Sequence, residues 1–370
     1  MRIAVIAPPW LPVPPPAYGG TERVIDDLCR ALQAAGHDLM LFTTGESACP
    51  VERRWVFETA RRTDGATPVS EMIHVIGAYD AVRQWRADIV HDHTLFGPLY
   101  AERFPDLRLV TTNHGPFDGD LGPIYRVLAQ RTPVIAISHH QAAAARATPI
   151  AAVIHHGVDL DQFPMGGGCG GYALFLGRMC PEKNVDGAIR IARRAGWPLR
   201  IAAKLCEPAE YEYFRSEVEP LLGGEIEYIG EVGGTDKLRL LGEAGCLLNP
   251  IAWPEPFGMV MIEALACGTP VVATPRGAAT EIVDHGETGW LASGESNLAK
   301  AMGDIAQLDR AACRAAAKAR FSARRMAAEH ADLFRRFVGH RRAATAAPAL
   351  AEQVGIVPVH HRDDDDLLVS

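Results

Sequence analysis

Short apolar runs, each stopped by a glycine or polar group and followed by a helical pattern, recur along this chain of 370 residues. The first is Arg2 to Ala7. Leu39-Met40-Leu41-Phe42-Thr43 is the next, and Asp88 to His93, Leu109 to Gly115 and Pro133 to Ser138 continue the series. Continuous apolar runs fit parallel strands covered on both faces, because the crossover helices lie above and below the sheet. The rhythm resumes at Tyr172-Ala173-Leu174-Phe175-Leu176-Gly177 and continues through Leu199 to Lys204, Glu225 to Glu231, Cys246 to Pro250 and Pro270 to Thr274. A chain of this length exceeds one ordinary core. The pattern therefore predicts an α/β protein with two doubly wound, Rossmann-like domains facing across a cleft. Met165-Gly166-Gly167-Gly168-Cys169-Gly170-Gly171 has the loosest composition and is the expected hinge. The boundaries expected are 1–165 for the first domain and 166–321 for the second.

The bulk numbers exclude several classes. Net charge is −8, which argues against a broad nucleic-acid footprint. Eight cysteines are present, with no C-x-x-C pair. They are expected to be reduced thiols of a cytoplasmic protein, neither a disulfide frame nor a zinc site. The first strand runs into Pro8-Pro9 too soon for a signal sequence. No apolar run is long enough for a transmembrane helix.

In the first half, Tyr18-Gly19-Gly20-Thr21 joins a Pro-rich loop to a helical pattern carrying Val24, Ile25, Leu28 and Leu32 on one face. Strand, glycine loop and helix N-terminus together let backbone approach an anion; a plain glycine turn is the alternative. Residues 46 to 70 look irregular and carry Arg53, Arg54, Arg61 and Arg62. His91 and His93 would share a strand face, with no third metal ligand evident. His114 stands at the carboxyl end of a strand, where ligands gather in open parallel sheets. Asp118-Gly119-Asp120 looks superficially like a metal-binding Asp-x-Asp, and loop capping is the plainer reading.

In the second half, Arg178 and Lys183 follow a strand and precede a helix, with Asn184 or Asp186 near its cap. Two cations at a helix N-terminus suit a diphosphate. Downstream, Glu255-Pro256-Phe257-Gly258-Met259-Val260-Met261-Ile262-Glu263 places two carboxylates eight residues apart. The prolines keep Glu255 in a loop, Gly258 opens a helix, and Gly268 followed by Pro270 stops it. Up to about 12 Å would then separate the acids. The alternative is a surface loop before an amphipathic helix with a solvated Glu263.

This stretch resembles the Glu-x7-Glu signature of retaining GT-B glycosyltransferases of family four. Gly177 to Asn184 is similar to that family's G-R-x-x-x-x-K-[NG]. Residues 268 to 291 resemble its "G-T-P-V-V … G-x-x-E-I-V … G-x-T-G" block, and residues 153 to 159 its "V-x-x-N-G-V-D", with His156 replacing Asn. The resemblance spans roughly residues 1 to 335 and is densest from 172 to 291. It implies a GT-B fold whose last helix, about 322–340, crosses back onto the first domain. It also implies a metal-independent hexosyltransferase using a nucleoside-diphosphate sugar as co-substrate, with UDP, GDP or ADP undecided, and no separate cofactor.

By the same resemblance, Arg178 and Lys183 bind the pyrophosphate, Glu255 holds the donor sugar and Glu263 the ribose. Phe257, Gly258, Met259 and Val260 complete the donor site, Gly19 and Gly20 close over the phosphate, and His114 lies near the sugar. The acceptor is an unspecified hydroxyl on a glycan, glycolipid or small molecule. Some relatives touch lipid near the Arg-rich stretch, which leaves weak peripheral contact with the inner membrane face open. An epimerase or hydrolase on this scaffold, or a non-catalytic sugar-nucleotide-binding protein, would share the phosphate site. Residues 341–370, with their Asp363 to Asp366 run, are expected to be a disordered, solvated tail.

Overall fold

The computed structural model describes residues 1–61 and 67–339. Arg62 and the 341–370 tail lie outside the described residues.

In Arg2–Ile6 (β1), Ile3 and Val5 face one apolar cluster and Ala4 and Ile6 another. The first cluster includes Ile25 and Leu28 of helix Gly20–Ala34, the second Val75 and Tyr79 of helix Pro68–Trp85. A strand buried on both faces needs no polar alternation, which is why β1 reads as a continuous apolar run. The next strands are Asp38–Thr43 (β2), Glu52–Trp55 (β3), Ile89–Asp92 (β4), Leu109–Thr112 (β5), Val134–Ala136 (β6) and Ile150–Val153 (β7). They form a parallel seven-stranded sheet in the order β3-β2-β1-β4-β5-β6-β7.

The second sheet repeats the logic. Its strands are Ala173–Arg178 (β8), Leu199–Lys204 (β9), Ile226–Gly230 (β10), Cys246–Asn249 (β11), Val271–Ala273 (β12) and Gly289–Leu291 (β13). They run parallel in the order β10-β9-β8-β11-β12-β13. Leu174 and Leu176 pack with Met261, Ile262 and Leu265 of helix Met259–Ala266. Ala173 and Phe175 pack with Val185 and Ile189 of helix Val185–Ala195. In each sheet the order reverses beside the first strand, between β1 and β4 and between β8 and β11. That switch point opens a crevice at the carboxyl ends.

The chain passes between the sheets twice, side by side. Val158 donates its N–H to the Phe321 carbonyl and accepts from the Ala323 N–H, both at 2.9 Å. Gly157 is needed there, since a Cβ would lie 2.5 Å from the Ser322 carbonyl oxygen. Helix Ala323–Gly339 then packs on the first domain, burying Met326, Ala327, Leu333 and Phe334 beside Ile25 and Leu28.

Three sequence expectations are corrected. Residues 46 to 70 are not irregular throughout, because Glu52–Trp55 pairs with β2 and helix Pro68–Trp85 begins within the stretch. Asn184 does occupy the expected cap position, in a left-handed conformation (φ 58°), with its side chain donating to the Pro250 carbonyl. Asp120 stands at the start of helix Leu121–Leu128 without a capping side-chain bond. The glycine-rich linker is tied down: Gly166, Gly168 and Gly170 donate to the Cys267, Gly242 and Glu243 carbonyls, and Arg310 donates to the Gly166 carbonyl at 3.0 Å.

Candidate functional site

Both crevices open into one cavity of about 710 Å³. The first domain contributes the loop after β1, the start of helix Gly20–Ala34, and the histidines at the ends of β5 and β7. The second contributes the ends of β8 and β10 and the stretch from Trp253 to Glu263. Gly19 can approach because its backbone lies where a Cβ would meet Pro15 at 2.7 Å and Leu11 at 2.9 Å. A Cβ at Gly20 would stand 3.7 Å from Met259 of the other domain. The N-termini of helices Gly20–Ala34 and Met259–Ala266 thus meet across the cleft, each able to present backbone N–H groups to an anion. The Tyr18 N–H donates to Glu231 across it at 2.9 Å.

Glu255 sits in the loop before helix Met259–Ala266, and Glu263 inside it. Each carboxylate is held by a lysine from a different element of the same domain. Lys183 donates from its Nζ to Glu255 Oε1. Lys237, in helix Gly234–Glu243, donates to Glu263 Oε1 at 2.6 Å. The second oxygen of each, Oε2, is buried and has no hydrogen-bond partner among the described residues. Lys183 is only 7% exposed. Burial alone would lower its pKa, but the Glu255 carboxylate more than offsets this and raises it, so the ammonium stays charged.

The first domain's wall is different. His114 Nε2 and His93 Nδ1 share a hydrogen bond of 2.8 Å. The His114 ring stacks near His156 at 5.2 Å, and His156 stands edge-on to Phe257 at 5.0 Å. His91 and His330 extend the group behind them, with ring centroids 5.1 Å apart. Burial pushes His114 and His330 down to about 4 and His91, His93 and His156 well below the ordinary imidazole value. At neutral pH these imidazoles are uncharged, and the positive charge the first domain brings to the cavity comes from Arg23 and Arg61.

Of the residues singled out from sequence, Gly19, Gly20, His114, Lys183, Glu255, Phe257, Gly258, Met259, Val260 and Glu263 all line the cavity. Arg178, at the end of β8, is not among the lining residues. The cations that line it are Arg23, Arg61, Lys183, Lys204 and Lys237. Lys237 was missed by sequence reasoning, although Gly233-Gly234 after β10 carries the same strand, glycine, helix signal used at Gly19-Gly20. Glu22 was missed too: it lines the cavity, and burial raises its pKa to about 7.

Two doubly wound domains, a shared cleft at their switch points and a last helix returning to the first domain define the GT-B fold. The model described as Glycosyl transferases group 1 matches residues 170–320, and Glycosyltransferase Family 4 matches residues 18–162. The chain belongs to this family, the group 1 glycosyltransferases of family four, and is a glycosyltransferase. The phosphatidyl-myo-inositol mannosyltransferase of Mycobacterium tuberculosis is 24% identical over 331 residues, covering 79% of this chain and 82% of that protein. Sucrose-phosphate synthase of Thermosynechococcus elongatus superposes with a TM-score of 0.76 at 20% identity, covering 90% of this chain and 98% of the other. HepE of Anabaena, solved in complex with UDP-glucose, gives a TM-score of 0.70 at 18% identity, covering 91% and 100%. At these identities the solved structures establish the fold alone.

Proposed function

We propose that this glycosyltransferase moves a hexose from a nucleoside-diphosphate sugar to a hydroxyl acceptor, with retention of anomeric configuration and without a catalytic metal. The observation that carries this reading is the pair of lysine-tethered carboxylates, each with one buried oxygen left unpartnered in the same cavity. A buried acceptor without a donor is costly, and the hydroxyls of a sugar and a ribose supply donors at the spacing that the loop and helix set. The UDP-glucose complex of HepE supports the same donor class.

In this reading Lys183, Lys237 and the two facing helix N-termini offset the charge of the departing diphosphate, the task that a divalent ion performs elsewhere. Glu255 orients the sugar, Glu263 the ribose, and neutral His114 stands beside the ring. The bond from the anomeric carbon to the phosphate oxygen breaks, the bond to the acceptor oxygen forms on the same face, and the acceptor proton passes to the leaving phosphate. Trp55 at the end of β3, Val56 after it, and Val69, Ile73 and Ile76 on helix Pro68–Trp85 are exposed, in a stretch that also carries Arg53, Arg54 and Arg61. That combination supports weak contact with an anionic lipid surface, which co-sedimentation with anionic and neutral vesicles measures.

A thermal-shift screen of nucleoside diphosphates and their sugars identifies the donor, since bound ligand raises apparent stability by mass action. Transfer in the presence of a chelator, followed by NMR of the product's anomeric proton, tests the rest. An inverted product, or transfer abolished by the chelator and restored by magnesium or manganese but not by zinc, would refute the mechanism. Consumption of donor at the same rate with and without any acceptor would favour a hydrolase or epimerase.

A further inference from the structure

We propose that His139, His155 and Glu281 form a binding site for a divalent transition-metal ion of the zinc type, placed across the junction of the two domains and outside the donor cavity. His139 is the first residue of helix His139–Ala144 after β6, and His155 lies in the loop after β7. Glu281 comes from helix Ala279–Ile282 of the second domain. One ligand atom from each lies within 4.8 Å of the others. None of the three lines the donor cavity.

The carboxylate is already oriented. Glu281 Oε1 accepts the His140 N–H at 2.7 Å, and Oε2 accepts the His139 N–H at 2.8 Å. Oε2 also meets His155 Nε2 at 2.7 Å. Burial alone would raise the Glu281 pKa, but the bonds from His155 and the two backbone amides hold it below the ordinary carboxylate value. Such outer contacts fix a metal-binding carboxylate before the ion arrives. The His155 ring is braced by Phe257 at 5.8 Å and Phe321 at 6.0 Å. His139 is exposed and edge-on to His155 at 5.7 Å, which provides an entry path.

Two imidazole nitrogens and one carboxylate oxygen suit zinc, cobalt or nickel better than magnesium or calcium, which prefer all-oxygen shells. Three protein ligands leave a tetrahedral ion one position for water. The proton in the His155–Glu281 bond is exchanged for the ion: His155 presents the Nε2 lone pair, and the proton is carried on Nδ1 or released. Because its ligands come from both domains, the ion acts as a staple of the closed arrangement.

The test is titration of the full chain with zinc by calorimetry and with cobalt by visible absorption. The comparison variant is His139→Ala, which keeps the backbone N–H that Glu281 uses, so the clasp and the fold survive. The expected result is one tight site with a tetrahedral cobalt spectrum free of thiolate bands, weakened about tenfold or more in His139→Ala. Glu281→Gln should weaken it likewise. Binding of unchanged affinity in His139→Ala would place the ion on the exposed thiols of Cys169 and Cys206 or on His360 and His361, and overturn the proposal; so would no binding by the wild type. Neither readout involves turnover, so this site can fail while the transferase reading stands.

Discussion

The lysine–carboxylate pairs on one side of the cleft and the histidine cluster on the other handle charge in opposite ways. The second domain sets Glu255 against Lys183 and Glu263 against Lys237, keeping charged groups where a charged ligand would sit. The first domain presents His114 and His156, backed by His91, His93 and His330, all held neutral by burial. A departing diphosphate needs cations that persist at working pH. A hydroxyl acceptor needs a wall that competes neither for its proton nor for the phosphate. The contrast matches a division of labour in which one domain grips the donor and the other receives the acceptor.

Lys183→Ala should break that contrast most severely. It strips Glu255 of its partner in a site where the side chains of Lys183 and Glu255 are 8% and 12% exposed. Removing one member of a buried pair costs roughly 3–5 kcal/mol. Losing the charge that stabilises the leaving group costs turnover about 10²–10³-fold. The measurement is steady-state transfer with the fold checked by circular dichroism, and near wild-type turnover in a folded variant would end the division of labour. Glu263→Gln should have a narrower effect. It leaves the Lys237 ammonium short of its carboxylate and, in the role proposed for Glu263, weakens the hold on the ribose. Affinity for a nucleoside diphosphate should fall roughly 10–100-fold, one charged hydrogen bond being worth about 1.5–3 kcal/mol. Calorimetry reads this directly, and turnover at saturating donor should suffer much less than in Lys183→Ala.

Stability against pH sharpens the comparison within the first domain. His114 and His330 titrate near 6.5 when unfolded and near 4 when folded. The folded state therefore binds fewer protons between those values. Their contribution is complete above 6.5 and is lost as pH falls toward 4. Glu22 and Asp27, which burial raises to about 7, work the other way: their contribution is complete below their ordinary values and is lost as pH rises through 7. Glu22→Gln should thus stabilise the protein at pH 8 by on the order of 2 kcal/mol and change little at pH 4.5. Urea unfolding at both pH values checks it, and equal gains at both would mean that Glu22 is not carrying a buried charge.

How much of this was legible in the sequence follows the same divide. Glu255 and Glu263 are set by a loop and two helical turns, and Lys183 by a few residues after a strand, so local spacing was enough to place them. Arg178 followed the same spacing; it is not among the lining residues, yet it is within electrostatic reach of Tyr18 and Glu207, which are. The histidine wall was illegible as a unit. His91, His114, His156 and His330 lie far apart in the chain, and only the parallel order of β4, β5, β6 and β7 with the returning helix stacks them. β3 escaped notice because Glu52-Arg53-Arg54-Trp55 shows no apolar face; as an edge strand it tolerates that.

The smallest expected effect concerns His93, which touches no ligand-facing surface of the donor cavity but shares a hydrogen bond with His114. With His114 Nε2 engaged there, the pair's tautomer decides whether the other ring nitrogen, Nδ1, donates or accepts. His93→Leu removes the partner and frees the ring to turn, so turnover should fall several-fold with donor affinity unchanged. His93→Asn keeps a polar group within reach of Nε2 and should recover most of the loss. A purely structural role for His93 would instead lower stability in both variants and leave the turnover of the folded fraction unaltered, so the split between turnover and unfolding separates the two. If Asn and Leu behave alike in turnover, His114 needs no orientation from behind, and the neutral wall is there to exclude charge rather than to aim a ring.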